Sequence, residues 1–226
     1  MIEVHAFDSP HAQCEALAQA VGAALAAPLA AHPRATLAVS GGTSPRPFLT
    51  TLASHALDWA RIDVTLVDDR WVGEQDAASN AQLVHDTLLQ QAAAAARFLP
   101  LVDTRVALDA RVAALNADAA YRQPDVVVLG MGEDGHTASI FADAPEWELA
   151  TSTTARYVGV HPGAAPHARV SLSLDALRAT PRRFLLISGA RKRDVLERAA
   201  ASAQRNAISK LANDKGTTLD VYWCAN

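Results

Sequence analysis

The run Asp125-Val-Val-Val-Leu129, followed at once by Gly130-Met-Gly-Glu-Asp-Gly-His136, constrains the fold more than any other stretch of this chain. An apolar run closed by glycines is what a strand buried on both faces of a parallel sheet looks like, because helices must cover both faces. In such sheets ligands bind beyond the carboxyl ends of the strands, where the loop holding Asp134 and His136 would sit. Gly130, Gly132 and Gly135 also satisfy the G-x-G-x-x-G spacing of dinucleotide folds. That reading fails on two counts. Glu133 and Asp134 would set negative charge beside a pyrophosphate, and no strand ending in an acid follows about 20 residues later. A plain structural turn accounts for Gly130 and Gly132 but not for an exposed Asp-Gly-His.

Other strand-like runs are Ile2 to Phe7, Ala35 to Val39, Ile62 to Val67, Tyr157 to His161, Arg169 to Leu172, Phe184 to Ser188 and Leu219 to Trp223. Helical patterns fall between most of them, at Pro10 to Ala27, Pro45 to His55, Asn80 to Gln91, Leu108 to Tyr121, Leu174 to Ala179 and Ala190 to Ala203. This alternation predicts an α/β fold: a single doubly wound, mostly parallel sheet with helices on both faces. The stretch Thr151 to Pro166, rich in Thr, Gly and Pro, reads as an irregular excursion. With 226 residues, half of them hydrophobic, one domain over residues 1–226 is expected.

A net charge of −4 gives no electrostatic reason to bind nucleic acid or an anionic membrane. The basic triplets Pro181-Arg-Arg183 and Arg191-Lys-Arg193 read as solvated surface, Lys192 apart. Cys14 and Cys224, far apart in sequence, indicate neither a disulfide framework nor a metal site. The Ala-rich stretch from Ala16 to Ala31 is interrupted by Gln19, Gly22 and Pro28, so a soluble helix and a cytoplasmic location are expected.

Four strand ends carry chemistry. The segment Ser40-Gly41-Gly42-Thr43-Ser44-Pro45 sets glycines at a turn, a hydroxyl at the cap and proline at the first helical position. Backbone amides, a helix dipole and hydroxyls together make an anion site, with a plain strand-to-helix turn as the alternative. The second is Asp68-Asp69-Arg70, acids and a guanidinium that are costly to bury. Asp68 and Arg70 read as functional, and Asp69 as half of a surface ion pair with Arg70. The third is Asp134-Gly135-His136, where a helix should begin and an imidazole can take and return a proton near neutrality. The other seven histidines lack such neighbours and read as structural. In the fourth, Gly189-Ala-Arg-Lys192 offers a mobile cation for phosphate, and Arg169 could supply a second positive group.

Taken in order, Ser40 to Pro45, Asp68 to Arg70, Gly130 to Phe141, Arg169 to Leu172 and Gly189 to Lys192 resemble the signature blocks of the 6-phosphogluconolactonase family. The resemblance spans nearly the whole chain, and its third block is highly specific. Related glucosamine-6-phosphate deaminases usually carry Asp-Glu-Tyr where this chain has Asp68-Asp-Arg70. They also place an assisting glutamate where Phe141 stands, and phenylalanine transfers no proton. The chain departs from the lactonase pattern at Ala142-Asp143, at Asp69 and in the order Thr43-Ser44. The resemblance implies hydrolysis of 6-phospho-glucono-1,5-lactone to 6-phosphogluconate in the oxidative pentose phosphate pathway, without metal or organic cofactor. His136 would be the general base, Asp134 and Asp68 would orient the imidazole or substrate hydroxyls, and Arg70 would stabilise either negative oxygen or phosphate. Ser40, Gly41, Gly42, Thr43, Ser44, Arg169 and Lys192 would hold the phosphate. The rivals are a deaminase or isomerase on the same fold and a non-catalytic sugar-phosphate sensor, which would usually carry a DNA-binding segment for which this chain has no spare length.

Overall fold

The computed structural model describes residues Met1 to Ala225. In chain order its first half contains β1 (Ile2–Phe7), α1 (Pro10–Ala31), β2 (Ala35–Val39), α2 (Arg46–Ala53), β3 (Ile62–Leu66), β4 (Asp68–Arg70), α3 (Asn80–Thr87), β5 (Arg97–Phe98) and α4 (Leu108–Ala117). The second half adds β6 (Val126–Leu129), α5 (Trp147–Ser152), β7 (Tyr157–Val160), β8 (Arg169–Leu172), α6 (Leu174–Ala179), β9 (Arg182–Ser188), α7 (Ala190–Ala201), α8 (Ala207–Ala212) and β10 (Leu219–Cys224).

Seven strands form one sheet in the order β1-β10-β9-β6-β2-β3-β5, and every neighbouring pair in it is parallel. Every residue of β2, β3 and β6 is buried; most are apolar, and the buried Asp63 of β3 is paired with Arg34 and Arg97. The crossovers from β1 to β2, β2 to β3 and β3 to β5 run one way across the sheet, and those from β5 to β6, β6 to β9 and β9 to β10 run the other. Right-handed crossovers in opposite directions put their helices on opposite faces, which makes the sheet doubly wound. The direction switches between the adjacent strands β2 and β6, and a crevice opens beyond their carboxyl ends.

The mostly parallel, doubly wound sheet is as expected, but a second, smaller sheet stands beside it. β4, β8 and β7 make a separate three-stranded sheet with antiparallel pairing, so Arg169–Leu172 and Tyr157–Val160 leave the main sheet. The reason is local: β7 and β8 are joined by a short return, and β8 meets the three residues that continue past β3. The stretch from Thr151 to Pro166 is irregular only in part: it holds the end of α5 and all of β7, while residues 161–166 belong to the loop that joins β7 to β8.

Helix α1 runs four residues beyond the expected Ala27 and passes through Pro28, which falls in the last turn. Gln13, Cys14, Leu17, Ala18, Val21, Ala24 and Leu25 bury its inner face, and α1 packs on β1, β2, β6 and β10. Its length and apolarity would also suit a membrane span. That inner face instead joins the core. Arg183, read as solvated surface, is fully buried on β9 with Nη1 2.7 Å from Asp214. The short elements β5, α5 and α8 lack a sequence pattern long enough to announce them.

Candidate active site

Four neighbouring strands, β9, β6, β2 and β3, deliver their carboxyl ends to one cleft of about 250 Å³. Ser40, Gly41, Gly42, Thr43, Ser44, Asp68, Arg70, His136, Arg169 and Lys192 all line it. Asp134 does not line it but holds a residue that does. Sequence distance is thus resolved by topology, because residues from 40 to 192 meet wherever adjacent parallel strands end.

The loop after β2 is fastened to the loop after β6 by the Gly130 amide, which donates to Ser40 Oγ at 3.0 Å. Gly41 is forced: a Cβ there would lie 1.8 Å from Asn80 Oδ1. Gly42 needs its freedom for another reason, a φ of +98°. The helix starts one residue later than expected, with Pro45 at the cap position and no side chain capping the first turn of α2. Thr43 and Ser44 are exposed at the mouth of the cleft.

Asp69 is not the surface ion-pair partner that the sequence suggested. It is 1% exposed, and its carboxylate accepts the amides of Arg70 at 2.8 Å, Asn80 at 2.7 Å and Ala81 at 3.2 Å. Burial outweighs these bonds and pushes the Asp69 carboxyl up to about 6. The acid therefore moors the start of α3 to β4. Asn80, which sequence reasoning missed, donates through Nδ2 to Asp68 O at 2.8 Å. Nothing in an Asn beside a serine cap marks it as a cleft residue; only the fold does so.

Asp68 Oδ2 accepts from Ser139 Oγ at 2.5 Å and lies 3.9 Å from Arg169 Nη1. Ser139 is fully buried and was also missed. Arg70 donates from Nη1 to Ala78 O at 2.7 Å, and the buried Nε atoms of Arg70 and Arg169 have no hydrogen-bond partner among the described residues. Lys192, in the first turn of α7, lines the cleft and makes no ion pair of its own among the described residues. It therefore brings an uncommitted positive charge.

His136 does not begin a helix. Gly132 N donates to His136 O at 3.0 Å, Thr137 Oγ1 donates to Gly130 O at 2.8 Å, and Ile140 N donates to Thr137 O at 3.1 Å. Ala138, with φ of 51°, reverses the chain between them. His136 Nδ1 lies 2.6 Å from Asp134 Oδ1, and that bond holds the Asp134 carboxyl below its ordinary range. An ionised carboxylate can only accept, so Nδ1 carries the hydrogen and the lone pair resides on Nε2. Nε2 has no protein partner among the described residues. Such a nitrogen can take a proton from a water or hydroxyl in the cleft. Gly132 is the price of this geometry, since a Cβ there would lie 2.3 Å from His136 Nδ1.

Of the remaining histidines, His161 also finds a carboxylate, with Nδ1 2.7 Å from Glu146 Oε1, although neither residue lines the cleft. Glu3, His5 and Asp220 are the one trio close enough to share a metal ion among the described residues, and they lie on β1 and β10, outside the cleft.

The chain is similar to known proteins along almost its whole length. The profile of the family described as "Glucosamine-6-phosphate isomerases/6-phosphogluconolactonase" matches residues 8–221. A protein of Neisseria meningitidis named 6-phosphogluconolactonase is 40% identical over 97% of both chains. One of Rhizobium meliloti with the same name is 40% identical over 97% of both chains. A crystal structure described as a putative 6-phosphogluconolactonase from Neisseria gonorrhoeae superposes with a TM-score of 0.93 at 39% identity, covering 99% of this chain and all of that one. A monomeric glucosamine-6-phosphate deaminase shares the fold, with a TM-score of 0.78 at 16% identity over 97% of both chains. The chain belongs to the glucosamine-6-phosphate isomerase/6-phosphogluconolactonase family.

Proposed function

We propose that this chain hydrolyses 6-phospho-glucono-1,5-lactone to 6-phosphogluconate, the lactone-opening step of the oxidative pentose phosphate pathway. One observation carries the reading: a histidine with Nδ1 tied to Asp134 and Nε2 unpaired lines the same cleft as Arg70, Arg169 and Lys192. Relatives that are 40% identical along almost the whole chain are named for this activity. In this reading residues 1–226 act as one cytoplasmic domain.

Water in the cleft gives a proton to His136 Nε2 as its oxygen bonds to the lactone carbonyl carbon. The carbonyl π electrons move to oxygen, where a guanidinium of Arg70 meets the charge. As they return, the bond from carbon to the ring oxygen breaks, and the imidazolium gives its proton to that oxygen. Asp134 keeps the tautomer that permits both transfers. Asp68, held by Ser139, orients a substrate hydroxyl. The phosphate lies between the amides and hydroxyls of Ser40 to Ser44 on one side and Arg169 and Lys192 on the other.

A deaminase reading finds no support at Phe141, which is apolar and 4% exposed where an assisting carboxylate would be needed. The deciding assay is coupled turnover of freshly made lactone, corrected for spontaneous hydrolysis, beside ammonia release from glucosamine 6-phosphate. Ammonia release that rivals lactone turnover would overturn the reading.

A further inference from the structure

Resting on the lactonase reading, we propose that Phe141 is a positioning residue that fixes the His136 imidazole and the Arg169 guanidinium on one aromatic ring without neutralising either. Its ring centroid lies 4.1 Å from that of His136, with 27° between the planes. The Arg169 guanidinium carbon lies 5.1 Å from the same ring centroid. Phe141 and Arg169 are 4% and 6% exposed.

The geometry needs such a group. The Asp134 side chain is 55% exposed, so the bond to Nδ1 is a single tether about which the imidazole could still pivot. Contact with a buried ring fixes the plane and therefore the direction of the Nε2 lone pair. Phe141 is itself held by the reversal at Ala138 and the Thr137 to Ile140 bridge, with Ala144 N donating to Phe141 O at 3.3 Å. Two residues earlier on the same segment, Ser139 bonds Asp68, and Arg169 Nη1 lies 3.4 Å from its hydroxyl. One short segment thus sets the spacing of base, acid and guanidinium.

The choice of an aromatic side chain follows from charge. A carboxylate at this position would also hold an imidazole and a guanidinium, but as an ion-pair partner it would take up the charge Arg169 offers to a phosphate. The ring's negative face orients a cation and leaves its charge available.

Phe141→Leu, Phe141→Tyr and Phe141→Glu separate this role from core filling. Phe141→Leu should lower kcat by about ten- to a hundredfold with KM changed much less, because misplacing a base by about an ångström costs on that order. Phe141→Tyr, which keeps the stack, should recover most of kcat. In Phe141→Glu, inhibition by inorganic phosphate should weaken by about tenfold beyond its weakening in Phe141→Leu. If folded Phe141→Leu keeps kcat within about threefold of wild type and only its Tm falls, Phe141 is core filling and the proposal is wrong. If Phe141→Glu does not fold, the Leu and Tyr pair decides. A wild type without lactone turnover would sink the lactonase reading instead. The His136 imidazole proton signals would then judge the positioning, being displaced by the Phe141 ring current in wild type and not in Phe141→Leu.

Discussion

Arg70 and Arg169 stand directly opposite one another on the antiparallel strands β4 and β8. Like charges at paired positions on one face repel, and burial lowers the Arg169 guanidinium further from its ordinary range, with Arg70 adding to the effect and Asp68 opposing it. A fold tolerates such a pair when an anion completes it. The two buried Nε atoms, which have no hydrogen-bond partner among the described residues, point the same way.

Inorganic phosphate should therefore raise the Tm of the wild type. At ten times its dissociation constant the stabilisation is about 1.4 kcal/mol by mass action. Arg169→Gln should lose most of that shift. Differential scanning fluorimetry against phosphate, with chloride at equal ionic strength as control, measures it, and an equal shift in both proteins would remove Arg169 from the anion site.

His136→Ala should lose about a hundredfold to ten-thousandfold in lactone turnover while binding 6-phosphogluconate nearly as tightly as wild type. Asp134→Asn should lose on the order of a hundredfold or more with the fold intact, because an amide can donate to Nδ1 and favour the wrong tautomer. Since the His136 bond keeps the Asp134 carboxyl below its ordinary range, this partnership persists through mildly acid pH and is lost only as pH falls through that lowered value. Near-native turnover by His136→Ala would end its assignment as the base.

The strands were legible because β2, β3 and β6 are buried on both faces and are therefore dominated by apolar and β-branched residues, Asp63 excepted. The glycines after β2 and β6 and the acids after β3 located the cleft residues, since a parallel sheet gathers its carboxyl ends. Asp69 was misread because two adjacent acids before an arginine look alike in sequence, and only the packing of α3 against β4 tells which one turns inward. Ser139, Asn80 and the stacking role of Phe141 were illegible for a related reason. Each acts through a contact that only the packing makes: Ser139 with Asp68, Phe141 with Arg169 as well as the nearby His136, and Asn80 with the backbone of Asp68.

Asp69 should leave a mark on stability against pH. Its folded value is raised from 3.8 to about 6, so the folded state holds this proton more tightly than the unfolded chain. Stability from this residue is thus greatest in acid and is lost as pH rises between those values, by on the order of 3 kcal/mol for about two units. Asp69→Asn should flatten that part of the profile. Urea midpoints from pH 4 to pH 7 test it, and parallel profiles for the two proteins would refute the inward, protonatable Asp69.

Adjacent glycines should answer differently to alanine. Gly41→Ala drives a methyl into Asn80 and through it disturbs the bond to Asp68 O, so turnover should fall more than tenfold, roughly the loss expected of a misplaced site. Gly42→Ala meets no atom within 4 Å and pays only for its φ of +98°, about 1–2 kcal/mol of stability with kcat nearly unchanged. Kinetics and Tm on both variants decide; equal effects would mean that Asn80 yields freely.

Lys192→Ala tests the fourth strand end. Lys192 lines the cleft from the first turn of α7, without a protein ion pair among the described residues, so removing it should leave the fold unstrained. If its ammonium meets the phosphate, a charge-assisted hydrogen bond of about 1.5–3 kcal/mol disappears, and kcat/KM falls by roughly ten- to a hundredfold. The loss should be specific. Unphosphorylated gluconolactone has no group for Lys192 to hold, so its slower turnover should be the same in wild type and variant. The ratio of the two kcat/KM values is therefore the quantity to measure, because it cancels any general damage to the His136 side of the cleft. An unchanged preference for the phosphorylated lactone would make Lys192 a solvated surface lysine and leave the phosphate to Arg169 and the loop from Ser40 to Ser44.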